Sequence, residues 1–411
     1  MADVIINGSP FAGTNQDGQA QWGPFWLSPT EGAVIFEDGN DDLVAIKTTT
    51  GVAGYGSVIV GHAETVRGLA CWFERSNPGN SGTKVHCVFL AAVAADLLYA
   101  AFDISAGTWS SPVTLNASVD VSSIHLPFIA GTRSGGFVAG SVVATGTASY
   151  AYKSANGSSW SAIANPYESN AADMVRGVSV NTGDNNDAGV VFQDASADAI
   201  SVKMYDDSAN TWTETAIGAL TEINNASQWE FSTDTRLSDG HTILAVINAN
   251  VLSTSDIDVY DLTLDSIASP TVTTKTDAIV DTGAQTLLYA VAVIVDQITN
   301  DIYVCYLAGP TQNSDMNAWY VKSTDGGTSW GSETAVSVDV SDDHRVISAG
   351  AMGTAGGLIA PVWFDDDDND LISNADTSVT INPLGQPTWK RWGGVQGSAS
   401  RGPNRMRVGA Y

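Results

Sequence analysis

Val34-Ile35-Phe36-Glu37-Asp38-Gly39-Asn40-Asp41-Asp42-Leu43-Val44-Ala45-Ile46 is the stretch on which the reading of the fold turns. An apolar run, a turn of Asp, Asn and Gly, and a second apolar run together spell a β-hairpin. Val190-Val191-Phe192 repeats the pattern, through Gln193-Asp194-Ala195-Ser196-Ala197-Asp198, into Ala199-Ile200-Ser201-Val202. Further copies begin at Val88, Val142, Leu244, Val293 and Val362, which makes seven. The residues that end their turns, Asp42, Asp96, Ser149, Asp198, Asp256, Asp301 and Asp370, recur every 45 to 69 residues. A strand-built repeat of roughly 40–50 residues is the period of a β-propeller blade.

Other strands surround each hairpin. Arg67-Gly68-Leu69-Ala70-Cys71-Trp72, His125-Leu126-Pro127-Phe128-Ile129, Arg176-Gly177-Val178-Ser179-Val180 and Arg345-Val346-Ile347-Ser348-Ala349-Gly350 are small and apolar, as an innermost strand beside a channel requires. After several hairpins a turn ends in Trp, at Trp109, Trp160, Trp212 and Trp330. No window shows sustained helical periodicity. The expectation is an all-β chain holding a single β-propeller of four-stranded antiparallel blades over residues 21–385. Seven hairpins predict seven blades. Six stays open, because the step from Asp256 to Asp301 is short and the sixth innermost strand is hard to place. Residues 1–20 read as an N-terminal arm or a ring-closing segment, and residues 386–411 as a basic, Gly-rich tail.

A chain of 411 residues exceeds what one conventional core supports, but a repeat array escapes that limit because each unit buries its faces on its neighbours. The net charge is −28 from 17 basic and 45 acidic residues, which argues against wrapping nucleic acid or coating an anionic membrane. The sign reverses at the C-terminus: Lys390, Arg391, Arg401, Arg405 and Arg407 fall in residues 386–411 with no Asp or Glu. That tail is the candidate attachment element for an acidic partner surface. No apolar run approaches the ~18 residues of a membrane span, and the first residues lack a basic and apolar export signal. Three cysteines make no disulfide framework, and Cys71, Cys87 and Cys305 are expected as buried free thiols.

Ser323-Thr324-Asp325-Gly326-Gly327-Thr328-Ser329-Trp330 resembles the Asp-box, S-x-D-x-G-x-x-W, of sialidase-like (BNR-repeat) propellers. Ser154-Ala155-Asn156-Gly157-Ser158-Ser159-Trp160 resembles a shortened copy with Asn in place of the acid. The motif's chemistry is structural: Asp accepts backbone N–H bonds across a tight turn, Gly supplies an open backbone angle, and Trp wedges between strands. The segment Cys71–Thr83 is similar to stretches of propellers encoded by bacteriophages, which implies a virion component. The sialidase likeness also implies three substrate-binding arginines, a Tyr–Glu nucleophile pair and an Asp acid/base. The expected Arg-Ile-Pro motif is missing from the sequence, so no catalytic residue is assigned.

Two sets of side chains stand out beyond the repeat. Arg67, Arg176 and Arg345 each follow an acid by three residues (Glu64, Asp173, Asp342) at the start of an innermost strand. They are candidates for binding a carboxylate or an acidic glycan at one channel mouth, or else for pinning blades together. Asp365, Asp366, Asp367, Asp368 and Asp370 form the densest acidic run, with oxygen ligands suited to Ca²⁺ or simply an exposed turn. No other cofactor is expected. The functional expectation is a non-catalytic structural or surface component of a phage virion (tail, fibre or decoration protein), in symmetric copies beside other virion proteins and in contact with host glycans. A sialidase-like glycoside hydrolase and a secreted glycan-binding lectin are the alternatives.

Overall fold

The computed structural model describes residues 4–8, 23–51, 54–77, 80–117, 119, 127–141, 149–164, 174–194, 199–219, 231–248, 256–279, 287–309, 317–337, 344–348, 361–365 and 370–373. These residues form seven antiparallel sheets of four principal strands each, in the manner of propeller blades. The first strand, β1 (Val4–Gly8), belongs to the last blade. Blade I holds β2 (Phe25–Trp26), β3 (Gly32–Glu37), β4 (Leu43–Thr48) and β5 (Val58–His62). Blade II holds β6 (Val66–Phe73), β7 (Lys84–Ala91), β8 (Asp96–Asp103), the short β9 (Thr108–Trp109) and β10 (Val113–Ala117).

Blade III holds β11 (Pro127–Gly131), β12 (Phe137–Ser141), β13 (Ala151–Ser154) and β14 (Ser161–Ala162). Blade IV holds β15 (Met174–Val178), β16 (Ala188–Asp194), β17 (Ala199–Asp206) and β18 (Thr211–Ala219). Blade V holds β19 (Phe231–Arg236), β20 (His241–Asn248), β21 (Asp256–Thr263) and β22 (Thr271–Thr274). Blade VI holds β23 (Leu287–Val295), β24 (Ile302–Gly309), β25 (Asn317–Ser323) and β26 (Thr334–Ser337). Blade VII holds β27 (His344–Ser348), β28 (Val362–Asp365) and β29 (Asp370–Ser373), with β1 as its fourth strand.

Within each blade the order runs from an inner strand outward, and inner strands of successive blades pack side by side from β6 to β27. The apolar runs are continuous because both faces of a blade are buried. On β3, Val34 and Phe36 face blade VII while Ala33 and Ile35 face blade II. On β20, Leu244 and Val246 face blade IV while Ile243, Ala245 and Ile247 face blade VI. Ring closure is visible in one shared cluster, where Ile6, Val362 and Leu371 of blade VII meet Val34 and Phe36 of blade I and Ala290 and Ile294 of blade VI.

One hairpin is read differently in the structure. Six of the seven repeated turns join the second and third strands of their blades, but Val293-Ile294-Val295 lies on the inner strand β23, and the turn to Asp301 joins the first and second strands. The cause is composition: β23 is a nine-residue apolar strand (Leu287–Val295) with the look of a buried middle strand. This accounts for the short step from Asp256 to Asp301, and the true sixth hairpin runs from β24 to β25.

The N-terminal strand pairs with β29 in the register Val4↔Ser373, Ile5↔Ile372, Asn7↔Leu371 and Gly8↔Asp370. This pairing joins the two ends of the described chain by backbone hydrogen bonds, beside the side-chain packing of blade I on blade VII, and Ile6 is 7% exposed. Deleting residues 1–8 is expected to lower unfolding stability by about 3 kcal/mol or more, and Ile6→Ala by about 2 kcal/mol. Denaturant unfolding of the purified proteins measures both; an unchanged midpoint for the deletion would mean that the ring does not rely on this strand.

Candidate functional site

Among the described residues, inner strands of four blades close on a small shared space. Phe25, Trp72, Phe73 and Val178, with Ser76, Gly177, Thr233, Asp234, Thr235 and Thr242, enclose a cavity of about 20 Å³, room for roughly one water molecule. These residues come from blades I, II, IV and V, so the space lies between blades rather than within one. Trp72 Nε1 and Thr242 Oγ1 are buried without a hydrogen-bond partner among the described residues. Asn77 stands nearby and ties three blades: its Nδ2 donates to Thr132 O at 3.1 Å, and its Oδ1 accepts from Ser179 Oγ at 3.3 Å.

Asp234 is the charged group of this centre. Its Oδ2 accepts the Val295 N–H of blade VI and its Oδ1 the Thr235 N–H, both at 2.8 Å. Burial outweighs those two bonds and pushes the carboxyl up to about 7. It therefore changes charge near neutrality, inside a blade seam.

The arginine candidates are not equivalent. Arg67 on β6 is exposed. Arg176 on β15 is 6% exposed, donates from Nε to Phe231 O of blade V at 2.9 Å, and lies over the Phe231 ring at 5.5 Å. Burial pulls its pKa below the ordinary guanidinium value. Next to it, Gly177 lets blades III and IV approach, since a Cβ there would stand 2.0 Å from Ile129 O. Arg176 thus serves the seam between blades IV and V. Arg345 is placed on β27 by its backbone, and its side chain lies outside the described set.

The turns that end in Trp330 and Trp160 are built from their own polar side chains. Asp325 Oδ1 accepts the N–H groups of Thr328 at 3.1 Å and Ser329 at 2.9 Å, and Oδ2 accepts Ser329 Oγ–H at 2.6 Å. The Ser329 bonds lead in holding the Asp325 carboxyl down to about 2. Ser323 Oγ takes the Gly327 N–H at 2.8 Å, and Gly326 and Gly327 adopt φ of 70° and 86°. Trp330 Nε1 then crosses to Thr276 O of blade V at 2.9 Å. In the shorter copy, Ser154 Oγ takes the Gly157 N–H at 2.9 Å and Asn156 Oδ1 the Ser158 N–H at 2.9 Å. Trp160 Nε1 stays within its turn, donating to Gly157 O at 3.1 Å.

A charged cluster on blade V was not singled out by the sequence. Arg236 Nε reaches both Asp239 carboxylate oxygens, at 3.1 and 2.9 Å, and its Nη2 reaches Asp261 Oδ2 at 3.0 Å. His241 Nδ1 sits 2.7 Å from Asp261 Oδ1, and Lys275 Nζ 3.5 Å from Asp261 Oδ2. Burial pulls Asp261 up, but Arg236 and His241 outweigh it and leave the carboxyl below its usual range. The available signal was Arg236-Leu237-Ser238-Asp239-Gly240-His241, a tight turn flanked on both sides by ionisable residues. Two carboxylates here share one guanidinium, which makes the cluster a closed ion network rather than an open acid–base pair.

Other candidates lie elsewhere. Asp366, Asp367 and Asp368 are outside the described residues, and Asp365 and Asp370 are placed by backbone alone, flanking the β28–β29 turn. Lys390, Arg391, Arg401, Arg405 and Arg407 are likewise outside the described residues. Among the described residues no group of three potential metal ligands occurs, and no helix is long and apolar enough to cross a membrane.

No family model and no curated protein sequence matches this chain. Solved structures do resemble it in fold. An ulvan lyase described as a new polysaccharide lyase family aligns over 90% of this chain and 93% of its own, at 10% identity and a TM-score of 0.53. Hydrazine synthase of Kuenenia stuttgartiensis aligns over 89% and 99%, at 9% identity and 0.53. The Cps50 (Swd1) beta-propeller domain of Myceliophteria thermophila aligns over 87% and 97%, at 9% identity and 0.50. At such identities the likeness establishes the β-propeller fold.

The Asp234 carboxyl gives a pH test. Its folded pKa of about 7 lies above the unfolded value near 4, so its contribution is full below about pH 4 and is lost as pH rises through 7. Relative to Asp234→Asn, the natural chain should lose about 2–3 kcal/mol of stability between pH 5 and pH 8. Parallel urea-unfolding profiles for the two proteins across that range would place the carboxyl elsewhere on the scale.

Proposed function

We propose that this chain is a non-catalytic β-propeller platform, a structural or surface component of a phage virion, with Asp-box turns as blade construction. The observation that carries the reading is how closely the described inner strands of blades I, II, IV and V approach one another. Phe25, Trp72, Phe73 and Val178, from three blades, line a space of only about 20 Å³ between the described inner strands, which favours a role for the outer surface. The polar turns support this use. Asp325, Asn156 and Asp38 each satisfy backbone N–H groups inside their own loops, at 2.9 to 3.1 Å, which makes rigid, self-contained edges. The similarity of Cys71–Thr83 to phage-encoded propellers supplies the virion setting, with other virion proteins as partners in symmetric copies and host glycans as a surface ligand.

The strongly acidic body and the basic residues 386–411 fit an attachment element that docks on an acidic neighbour. Removing residues 386–411 should leave the circular dichroism spectrum and unfolding midpoint of the propeller unchanged while reducing its copy number in purified particles at least tenfold. Incorporation of the truncated chain at the natural level would remove the tail from this role. A glycan array probed with the same purified protein tests the surface-ligand part separately.

A further inference from the structure

Cys71 and Cys87 occupy directly opposed positions on β6 and β7, at the centre of an antiparallel register that runs from Val66↔Ala91 to Phe73↔Val85. Their sulfurs stand 3.6 Å apart, and the side chains are 3% and 0% exposed. Both are free thiols. Directly opposed antiparallel residues are separated by about 4.5–5.5 Å at Cα, within the ~4.4–6.8 Å that a disulfide spans. Closing the gap to a bond of ~2.05 Å asks for side-chain rotation rather than strand movement.

We infer that Cys71 and Cys87 form a latent cross-strand disulfide, open in a reducing cytoplasm and closed by a small peroxide-class oxidant. The segment between them gives the bond its consequence. Arg75 reaches back to Leu27 O of blade I at 2.8 Å, and Asn77 reaches forward to Thr132 O of blade III. Trp72, which helps fill the channel, is also enclosed. A bond at the base of this segment would fix the three side chains by which blade II grips its neighbours and the ring centre.

The chemistry balances with hydrogen peroxide as the oxidant. One thiol displaces water from the peroxide, breaking O–O and giving a sulfenic acid. The second thiol then attacks that sulfur, the S–S bond forms, and a second water leaves. Two sulfurs are oxidised, both peroxide oxygens are reduced, and the two thiol protons end in water. Burial, together with the adjacent Cys71, pushes the Cys87 thiol well up. Cys71, 3% exposed against 0% for Cys87, is assigned as the thiol that meets the oxidant. Peroxide is small and uncharged, which suits a site reached through transient opening of the blade.

Cys305 is the internal control: it is fully buried on β24, and burial pushes its thiol up to about 12. The full chain, folded and freshly reduced, is treated with hydrogen peroxide. Free thiols are then counted under denaturing conditions, and the peptides are mapped by mass spectrometry. The expected result is loss of two of the three thiols, a Cys71–Cys87 linked peptide lacking two hydrogens, and retention of Cys305. The thermal midpoint should rise by about 3 °C and return on reduction with dithiothreitol. Cys71→Ser and Cys87→Ser should each abolish both the linked peptide and the shift. Retention of all three thiols, oxidation of Cys305 alongside the pair, or conversion of Cys71 to sulfinic acid without linkage would overturn the proposal.

Discussion

Every part of this molecule depends on blades burying both faces against their neighbours. A four-stranded sheet has no core of its own, and here each apolar cluster is assembled from at least two blades. Phe25, Phe73, Cys87 and Phe102 join blades I and II, while Ile243, Val259, Val291 and Val304 join V and VI. Burying a residue of that size contributes about 1.5–3 kcal/mol, so the seams carry most of the stabilisation. The same constraint explains why the strands read as continuous apolar runs rather than as alternating ones.

Polar groups complete the seams in a particular way. The chain has only 17 basic residues, and three of its arginines are directed at backbone carbonyls of a neighbouring blade. Arg75 reaches Leu27 O, Arg133 reaches Thr182 O, and Arg176 reaches Phe231 O, all at 2.8 to 2.9 Å. A carbonyl acceptor does not depend on the side chain at its position, so such a seam tolerates sequence drift on the accepting blade. Blade V instead meets its neighbour with Asp234 and Ser232 as acceptors for the Val295 and Val293 amides. That is where the seam acquires a group that titrates.

The hairpin period made the architecture legible in the sequence, because a buried middle pair of strands needs apolar residues on both sides of a polar turn. The same rule caused the one misplacement, since β23 is apolar for all of its nine residues and differs from a middle strand only in its partner. Site chemistry was less legible. The Arg-after-acid pattern located Arg176 correctly on an inner strand, but nothing in its spacing distinguishes a guanidinium facing a channel from one turned under Phe231. The Arg236–Asp261 network escaped notice because its members come from three strands, a turn and the residue after β22, separated by up to 39 residues between Arg236 and Lys275. The turn at Asp325 was the easiest to read, since the bonds made by the Asp325 and Ser323 side chains all lie within eight residues.

Blade VII takes its fourth strand from Val4–Gly8 and its other three from the far end of the described chain. During synthesis the first strand therefore emerges more than 360 residues before its partner, Asp370–Ser373. Each earlier blade can form by local pairing as it leaves the ribosome, but none can be sealed into a ring until Asp370–Ser373 has been made. Until then blade I presents Val34 and Phe36 uncovered, the surface that blade VII later takes. Each newer blade is covered as its successor forms, so this face of blade I is the seam left open longest during synthesis.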